Sequence, residues 1–213
     1  AMQAEHKAKP PERTAFALPP KNNGNRRVFA YLHRSRGIAA EIINHCMKND
    51  LLYEDAQHHN AVFVGKDENG TAKYAFLRGT LTGSHFRQEA TGSDKSYGFF
   101  LRGSGKTLFV CEAAIDALSI ATLRKFGGLD WKSDSYLALG GVTASVSKLP
   151  AALERTLNTF SFKRVVLCFD NDAAGQTAAR RIFTMLRQRF PENLEVRTCV
   201  PKVKDFNDQL CVK

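Results

Sequence analysis

Two short apolar runs that end in carboxylates most constrain the fold of this chain. Residues 107–111 (TLFVC) lead into Glu112, and residues 165–169 (VVLCF) lead into Asp170 and Asp172. Unbroken apolar runs of this length are typical of parallel strands that are buried on both faces. Because open α/β sheets bind ligands at the carboxyl ends of their strands, we expect these three carboxylates to lie at one edge of a sheet.

Carboxylates gathered at one sheet edge predict a metal site. They repel one another unless a cation lies between them, and hard oxygen ligands favour Mg²⁺ or Mn²⁺. Asp116 follows Glu112 by one helical turn and can face the same cleft. The alternative is that Asp172 only caps a helix, and that Glu112 and Asp116 only oppose a helix dipole. A cap needs one carboxylate, so the pair Asp170 and Asp172 favours the metal site.

Two further segments bring candidate ligands to this edge. Lys204 and Asp205 follow the last predicted strand, although a solvent-exposed C-terminal loop explains them equally well. Gly140 and Gly141 lie between a predicted strand and a predicted helix, where glycines let backbone N–H groups approach a phosphate or the metal cluster. A tight turn is the alternative for the two glycines.

The second half of the chain alternates between strand-like and helix-like segments. Strands are predicted near 107–111, 136–139, 164–169 and 194–200. Helices are predicted near 113–126, 147–159 and 174–190. Such alternation indicates an α/β fold, so residues 105–213 predict a four-stranded, mainly parallel sheet flanked by helices.

Residues 26–104 predict a smaller α+β lobe. A helix from Arg26 to near Gly37 and a second short helix precede a hairpin turn with the sequence DENG. The predicted strands are 61–64, 73–77 and 84–89. Residues 1–25 are charged and then rich in proline and asparagine, which predicts a flexible linker. Arg78 and Lys95 are candidate anion contacts, because each lies in or beside a glycine-containing segment; ordinary surface cations are the alternative.

The composition indicates a globular protein with an acidic partner. The 213 residues are 43% hydrophobic and carry a net charge of +10, which favours nucleic acid as the partner. The five cysteines form no CxxC pair, as expected of reduced cysteines in a cytoplasmic protein. No apolar run approaches the roughly 18 residues that a membrane span needs, and no signal peptide is visible.

The acidic motifs resemble the TOPRIM domain shared by primases, type IA and type II topoisomerases and some nucleases. That pattern is a glutamate at one strand end, here Glu112, and an Asp-x-Asp at another, here Asp170 and Asp172, followed by a glycine, here Gly175. The resemblance covers about residues 105–213.

The first lobe resembles the catalytic core of bacterial DnaG-type primases. Residues 31–38 (YLHRSRGI) resemble the segment that opens that core, residues 62–79 the hairpin after it, and residues 95–97 (KSY) a Lys-Tyr motif. The likeness is greatest to primase-like proteins of conjugative and phage-type mobile elements. Ala113 replaces the glycine of the family's Glu-Gly, and Asn207 replaces the second acid of its last motif.

This resemblance implies roles for the residues singled out above. It makes Glu112, Asp170 and Asp172 catalytic, and adds Asp116 and Asp205 to the ligands of Mg²⁺ or Mn²⁺. It also implies a second set, which handles the template or the incoming nucleotide: Arg78, Lys95, Gly140, Gly141 and Lys204.

The implied function is primer synthesis from nucleoside triphosphates on a single-stranded DNA template. A helicase or relaxase of the same mobile element is a candidate partner, and no membrane is involved. One alternative is a TOPRIM-type DNA nuclease, which would use water as the nucleophile with the same metals. The other is a catalytically silent accessory module that binds single-stranded DNA. The primase likeness of the first lobe favours polymerisation over cleavage.

Overall fold

The structure is a computed structural model that describes residues 15–81, 83, 85–142, 145 and 147–212. Helices α1–α6 are Arg26–Ala30, Ala40–Lys48, Ala114–Phe126, Ala151–Thr159, Ala173–Arg189 and Phe206–Cys211. Strands β1–β9 are Leu52–Glu54, Ala61–Lys66, Ala72–Arg78, Arg87–Glu89, Phe99–Leu101, Thr107–Cys111, Asp134–Ala138, Arg164–Cys168 and Glu195–Thr198. These elements form two lobes, each built on one sheet.

The small lobe contains an antiparallel sheet with the strand order β1-β2-β3-β4. The predicted hairpin is present: Asp67 accepts hydrogen bonds from the backbone N–H groups of Asn69 and Thr71 across the turn between β2 and β3. The predicted third strand is the short β4, and residue 84, where that prediction began, lies outside the described residues. A π-helical turn, Tyr31–Ser35, extends α1 toward Gly37, whose φ of +68° suits glycine.

The large lobe contains a five-stranded sheet with the order β5-β7-β6-β8-β9. Strands β7, β6, β8 and β9 are parallel to their neighbours, which confirms the predicted four-stranded parallel arrangement. Strand β5 adds an antiparallel edge. The sequence did not predict β5, because a three-residue segment is too short to show a strand pattern. Helix α4 begins after Pro150, later than predicted, since a residue that precedes proline avoids the helical region.

One hydrophobic core joins the two lobes. Ile42 and Phe63 of the small lobe belong to the same buried cluster as Phe99, Leu118 and Tyr136 of the large lobe. The rings of Phe63 and Phe99 meet edge to face, with their centroids 5.6 Å apart. A second cluster lies on the other face of the large sheet, beneath α4 and α5. The shared core fixes β3 and β4 relative to the large sheet. The domain boundary predicted between residues 104 and 105 stays a prediction.

The two ends of the described chain pack onto the lobes. Of the predicted linker, residues 1–14 lie outside the described residues. The hydroxyl of Tyr53 donates to the carbonyl of Pro19, and the N–H of Ala56 donates to that of Pro20, so the segment before α1 contacts the small lobe. After β9, the chain forms the short helix α6, in which Phe206 and Asn207 are buried. No helix among the described residues is long and apolar enough to cross a membrane.

Candidate active site

The two predicted acidic strand ends lie side by side. Cys111 at the end of β6 pairs with Cys168 at the end of β8, so Glu112 and Asp170 leave the sheet at the same edge. The backbone N–H of Asp170 donates to Oε1 of Glu112 at 3.3 Å. A cleft of about 330 Å³ opens over this edge, and Glu112, Asp116 and Asp170 line it. We call this space the acidic cleft.

Gly175 allows this close approach. A Cβ atom on Gly175 would lie 2.6 Å from the carbonyl oxygen of Asp170 and 2.9 Å from Oε1 of Glu112. Both distances are below normal van der Waals contact, so a larger residue at this position would displace the backbone of Asp170 and the carboxylate of Glu112. The glycine that follows the Asp-x-Asp motif therefore has a steric reason to be there.

Asp172 and Asp205 begin the two helices next to the cleft. Asp172 caps α5, where its Oδ1 accepts the N–H of Gly175 at 2.7 Å, and Asp205 caps α6 by accepting the N–H of Asp208 at 2.7 Å. Asp172 therefore does cap a helix, as the alternative interpretation of its position in the sequence holds. Capping does not exclude ion binding, because the capping bond uses only one oxygen of each carboxylate. Asp172 is exposed beyond Asp170, whereas Asp205 lines the adjoining part of the cleft.

Burial and mutual repulsion raise the pKa values of the clustered acids. Burial, followed by the charge of Asp170, raises the pKa of Glu112 to about 7. Burial, followed by the charges of Asp205 and Asp170, raises the pKa of Asp116 to about 7. Burial, followed by Asp205 and Asp172, raises the pKa of Asp170 to about 6. The cluster therefore carries more negative charge than its surroundings neutralise.

These residues fit a hard divalent cation. All the donors are carboxylate oxygens, and a cation between them would relieve the repulsion that raises their pKa values. Within the described ranges, no three or more His, Cys, Asp or Glu side chains form a group that could hold a metal ion. A Mg²⁺ ion at this site would therefore need waters or substrate phosphates in addition to one or two carboxylates.

A group of basic side chains lines the adjoining space. This second cleft, of about 320 Å³, shares Asp116 and Asp170 with the first, and we call it the basic cleft. The cations that line it are Arg36, Arg78, Arg87 and Lys204. Both clefts also share Arg87, so they form one groove between the small lobe and the edge of the large sheet.

The predicted basic residues divide between the groove and its surroundings. Arg78 and Lys204 line the basic cleft, and Nε of Arg78 is buried without a hydrogen-bond partner among the described residues. Lys95 lines neither cleft: it is exposed and forms an ion pair with Glu89 at 2.9 Å. Tyr74 also donates to Glu89, at 3.2 Å, and lines the acidic cleft, so Lys95 lies outside its rim.

The two predicted loop glycines line the acidic cleft. Gly140 and Gly141 have φ values of +75° and +112°, which favour glycine, so the tight-turn alternative also holds. The N–H of Gly141 donates to the carbonyl of Glu112, which ties this loop to the acidic strand end. No phosphate contact is needed to explain the two glycines, and their predicted role stays a prediction.

Sequence reasoning missed three residues of the groove: Arg36, Arg87 and Asn207. Arg87 lies on the short strand β4, and no local pattern distinguishes it from a surface arginine. Asn207 had a signal, since it stands where the family pattern has an acid. Arg36 and Asn207 are hydrogen-bonded to each other across the two lobes, at 3.2 Å.

Two family models match consecutive parts of the chain. Residues 109–210 match a model described as "Toprim-like", and residues 30–106 match one described as "Protein of unknown function (DUF3991)". The large lobe therefore resembles Toprim-like domains. No curated protein matches the chain.

Solved primase structures share this Toprim-containing architecture. The primase fragment of the bacteriophage T7 primase-helicase protein is 23% identical, with a TM-score of 0.57 over 81% of this chain and 65% of that fragment. A DnaG primase catalytic domain bound to single-stranded DNA is 15% identical, with a TM-score of 0.57 over 88% of this chain and 70% of that domain. The Escherichia coli primase catalytic core is 15% identical, with a TM-score of 0.57 over 87% and 69%.

These similarities show the fold: the small lobe and the Toprim domain together have the architecture of a primase catalytic core. The chain spans less than two thirds of the T7 primase fragment.

Proposed function

We propose that this chain catalyses metal-dependent nucleotidyl transfer on single-stranded DNA, in the form of primer synthesis from nucleoside triphosphates. One observation carries the proposal: a wall of carboxylates with raised pKa values meets arginine and lysine side chains in a single groove. A triphosphate accompanied by divalent cations complements both walls, because the cations bind the carboxylates while the basic residues bind phosphate oxygens.

The acidic residues would hold the ions. We assign Glu112, Asp170 and Asp172 to this task, with Asp116 and Asp205 as further ligands. When bound, Mg²⁺ or Mn²⁺ would lower the pKa of the attacking 3′-hydroxyl and stabilise the leaving pyrophosphate. Glu112 has an alternative role as the general acid or base, since its pKa of about 7 lies close to neutral pH.

The basic residues would bind the substrates. Arg78 lines the basic cleft together with Asp116 and Asp170, and its Nε has no hydrogen-bond partner among the described residues, so its guanidinium would be available to a phosphate of the incoming nucleotide. Lys204 would act in the same cleft. In the adjoining acidic cleft, the turn at Gly140 and Gly141 would let a phosphate approach the backbone N–H of Gly140, while the N–H of Gly141 ties the turn to Glu112. Lys95, outside the rim, would contact the template backbone, which the net charge of +10 attracts over a longer range.

The proposal extends to the cellular setting. The T7 relative is the primase part of a primase-helicase protein, and we propose a helicase, or a relaxase of the same mobile element, as a partner of this chain. Priming would take place in the cytoplasm, where template and nucleotides are present.

A primer-synthesis assay tests the proposed function. The wild type, Asp170→Asn and the control Glu192→Gln, an exposed acid between α5 and β9, are incubated with single-stranded DNA, labelled nucleoside triphosphates and Mn²⁺. We expect short labelled products from the wild type and the control, and none from Asp170→Asn. Template fragments made without triphosphates would indicate a nuclease. Template binding without either product, unchanged in Asp170→Asn, would indicate an accessory module.

A further inference from the structure

Asn207 uses its side-chain amide and its backbone N–H to connect the two lobes beside the acidic cluster. Its side chain is buried, and its Nδ2 donates to the carbonyl of Arg36 at 2.8 Å and to Oγ of Ser119 at 3.0 Å. Its Oδ1 accepts from Nη1 of Arg36 at 3.2 Å. Its backbone N–H donates to Oδ1 of Asp116 at 3.3 Å.

These contacts join residues from three parts of the fold. Arg36 follows the π-helical turn of the small lobe, Asp116 and Ser119 lie on α3 of the Toprim domain, and Asn207 lies in the first turn of α6. Arg36 and Asp116 both line the basic cleft. The side chain of Asn207 therefore fixes the start of α6 against Arg36 and Ser119, and this anchoring sets the position of the backbone N–H that bonds to Asp116.

Asparagine suits this position better than the acid of the family pattern. The hydroxyl of Ser119 already donates to the carbonyl of Ile115, so its oxygen acts as an acceptor toward Asn207. The carbonyl of Arg36 is a second acceptor. An aspartate would face both acceptors with an oxygen in place of an N–H donor. It would also add a negative charge next to Asp116, which is already buried among acids.

We propose that Asn207 is a positioning residue that orients Asp116 toward a bound divalent cation and Arg36 toward the phosphates beside it. The proposal rests on the proposed function, because it supplies Asp116 with an ion to bind. A merely structural role would instead make Asn207 one of several buried links between the lobes, with no effect on the ion.

Thr122 supplies the matched control. It lies on the same helix as Asp116, is fully buried, and also connects α3 to the small lobe, since its Oγ1 accepts the N–H of Ala39 at 3.2 Å. Its hydroxyl donates to the carbonyl of Leu118, and in the described part of the chain Thr122 forms no side-chain hydrogen bond with Asp116 or Arg36. Thr122→Val keeps the shape and removes the link between the lobes, so it reports what the loss of such a link does by itself.

The test measures Mn²⁺ binding in the presence of a nucleoside triphosphate, by electron paramagnetic resonance of the free ion, together with thermal unfolding. Wild type, Asn207→Ala, Asn207→Asp and Thr122→Val are compared. We expect both Asn207 variants to bind Mn²⁺ about tenfold more weakly than the wild type, the loss typical of residues that orient metal ligands. Thr122→Val should bind Mn²⁺ as the wild type does, even where it unfolds at a lower temperature.

Each other outcome overturns the proposal in a distinct way. Wild-type affinity in Asn207→Ala, with a loss of stability like that of Thr122→Val, would make Asn207 a structural link only. Tighter binding in Asn207→Asp would mean that the position touches the ion directly. A wild type that binds no Mn²⁺ under these conditions would remove the proposed function, and this inference with it.

Discussion

Two edges of the large sheet contain buried or partly buried acids, and these edges differ in whether a basic side chain neutralises the acids. At the edge where β7 begins, buried Asp134 forms an ion pair with the guanidinium of Arg124, which also stacks over the ring of Phe109. At the opposite edge, Glu112 and Asp170 follow β6 and β8. In the part of the chain that the structure describes, neither forms an ion pair with a Lys, Arg or His side chain.

The difference separates an acid whose charge is balanced by a partner within the fold from acids whose charges are not balanced in this way, as the proposed metal site requires. Burial raises the pKa of Asp134, and the charge of Arg124 opposes that rise. Among the three clustered acids, the largest effects after burial are repulsions from other carboxylates. A cluster of this kind reduces the stability of the folded chain unless a cation binds, which is the usual signature of a functional site.

The largest expected effect is that of Asp170→Asn. It should lower primer synthesis by at least about 100-fold, because ligands of a catalytic ion supply several kcal/mol of transition-state stabilisation. Stability without metal should stay the same or increase, because one repelling charge is removed from the cluster. Nucleotide incorporation and urea denaturation of the same preparations measure both quantities. A variant that loses stability along with activity would contradict the view that these acids repel one another in the folded state.

Asp134→Asn should show the reverse pattern. It leaves the partly buried guanidinium of Arg124 without its counter-charge, which should cost about 2 kcal/mol of unfolding free energy. The activity of each folded molecule should match that of the wild type. Urea denaturation gives the first value and an active-site-normalised assay the second. Replacing both partners, in Arg124→Met with Asp134→Leu, should recover most of the lost unfolding free energy. If it does not, the ion pair stabilises the fold by more than the mutual neutralisation of its two charges.

The unneutralised edge also predicts a pH dependence. The pKa values of Glu112 and Asp116 are about 7, against ordinary values of 4.5 and 3.8, so the folded chain binds protons more tightly than the unfolded chain does. The stability that these groups contribute is therefore complete below about pH 4 and is lost as the pH rises through about 7.

Thermal unfolding from pH 5 to pH 8 measures this dependence. Without metal, the melting temperature of the wild type should fall by several degrees relative to that of Glu112→Gln, which lacks one of the groups. Added Mg²⁺ should raise the melting temperature at pH 8 and have little effect at pH 5, where protons occupy the cluster. Parallel curves for the wild type and Glu112→Gln would show that Glu112 titrates normally.

The sequence-based predictions succeeded where the signal is local. Two apolar runs ending in Glu112 and Asp170 predict parallel strands that end at one edge of a sheet, because a buried strand and its polar end are close together in the sequence. That the two strands end at the same edge of the sheet follows from the rules of strand connection, without knowledge of any contact between distant residues. The roles assigned to these acids remain predictions, whereas their convergence in one cleft is a feature of the structure.

The predictions failed where a residue depends on a distant one. Arg87 belongs to a three-residue strand and reaches the groove only because β3 carries β4 over the Toprim domain. Asn207 bonds to Arg36, 171 positions away in the chain, and no local pattern contains that pair. Lys95 is a different case: the resemblance implies a contact with the template or nucleotide, the structure pairs Lys95 with Glu89 outside the acidic cleft, and its role stays a prediction.

The smallest effects should come from the basic residues. They again contrast a residue with a donor that lacks a partner, Arg78, with a residue in an ion pair, Lys95. Arg78→Gln should raise KM for the nucleoside triphosphate about tenfold, because it removes a charged donor that has a buried N–H available for phosphate. Lys95→Ala should change KM by less than about twofold, since an exposed lysine already paired with Glu89 adds little. Steady-state kinetics at two salt concentrations measure both variants.

The salt dependence decides between a contact in the groove and a distant charge. The loss in Arg78→Gln should persist at high salt, because a buried contact is poorly screened, whereas any effect of Lys95→Ala should disappear. A tenfold loss in Lys95→Ala that persists at high salt would mean that Lys95 leaves Glu89 and enters the groove when substrate binds. The variant Glu89→Gln would then mimic substrate binding by releasing Lys95, and it should lower KM in the wild-type background but not in Lys95→Ala.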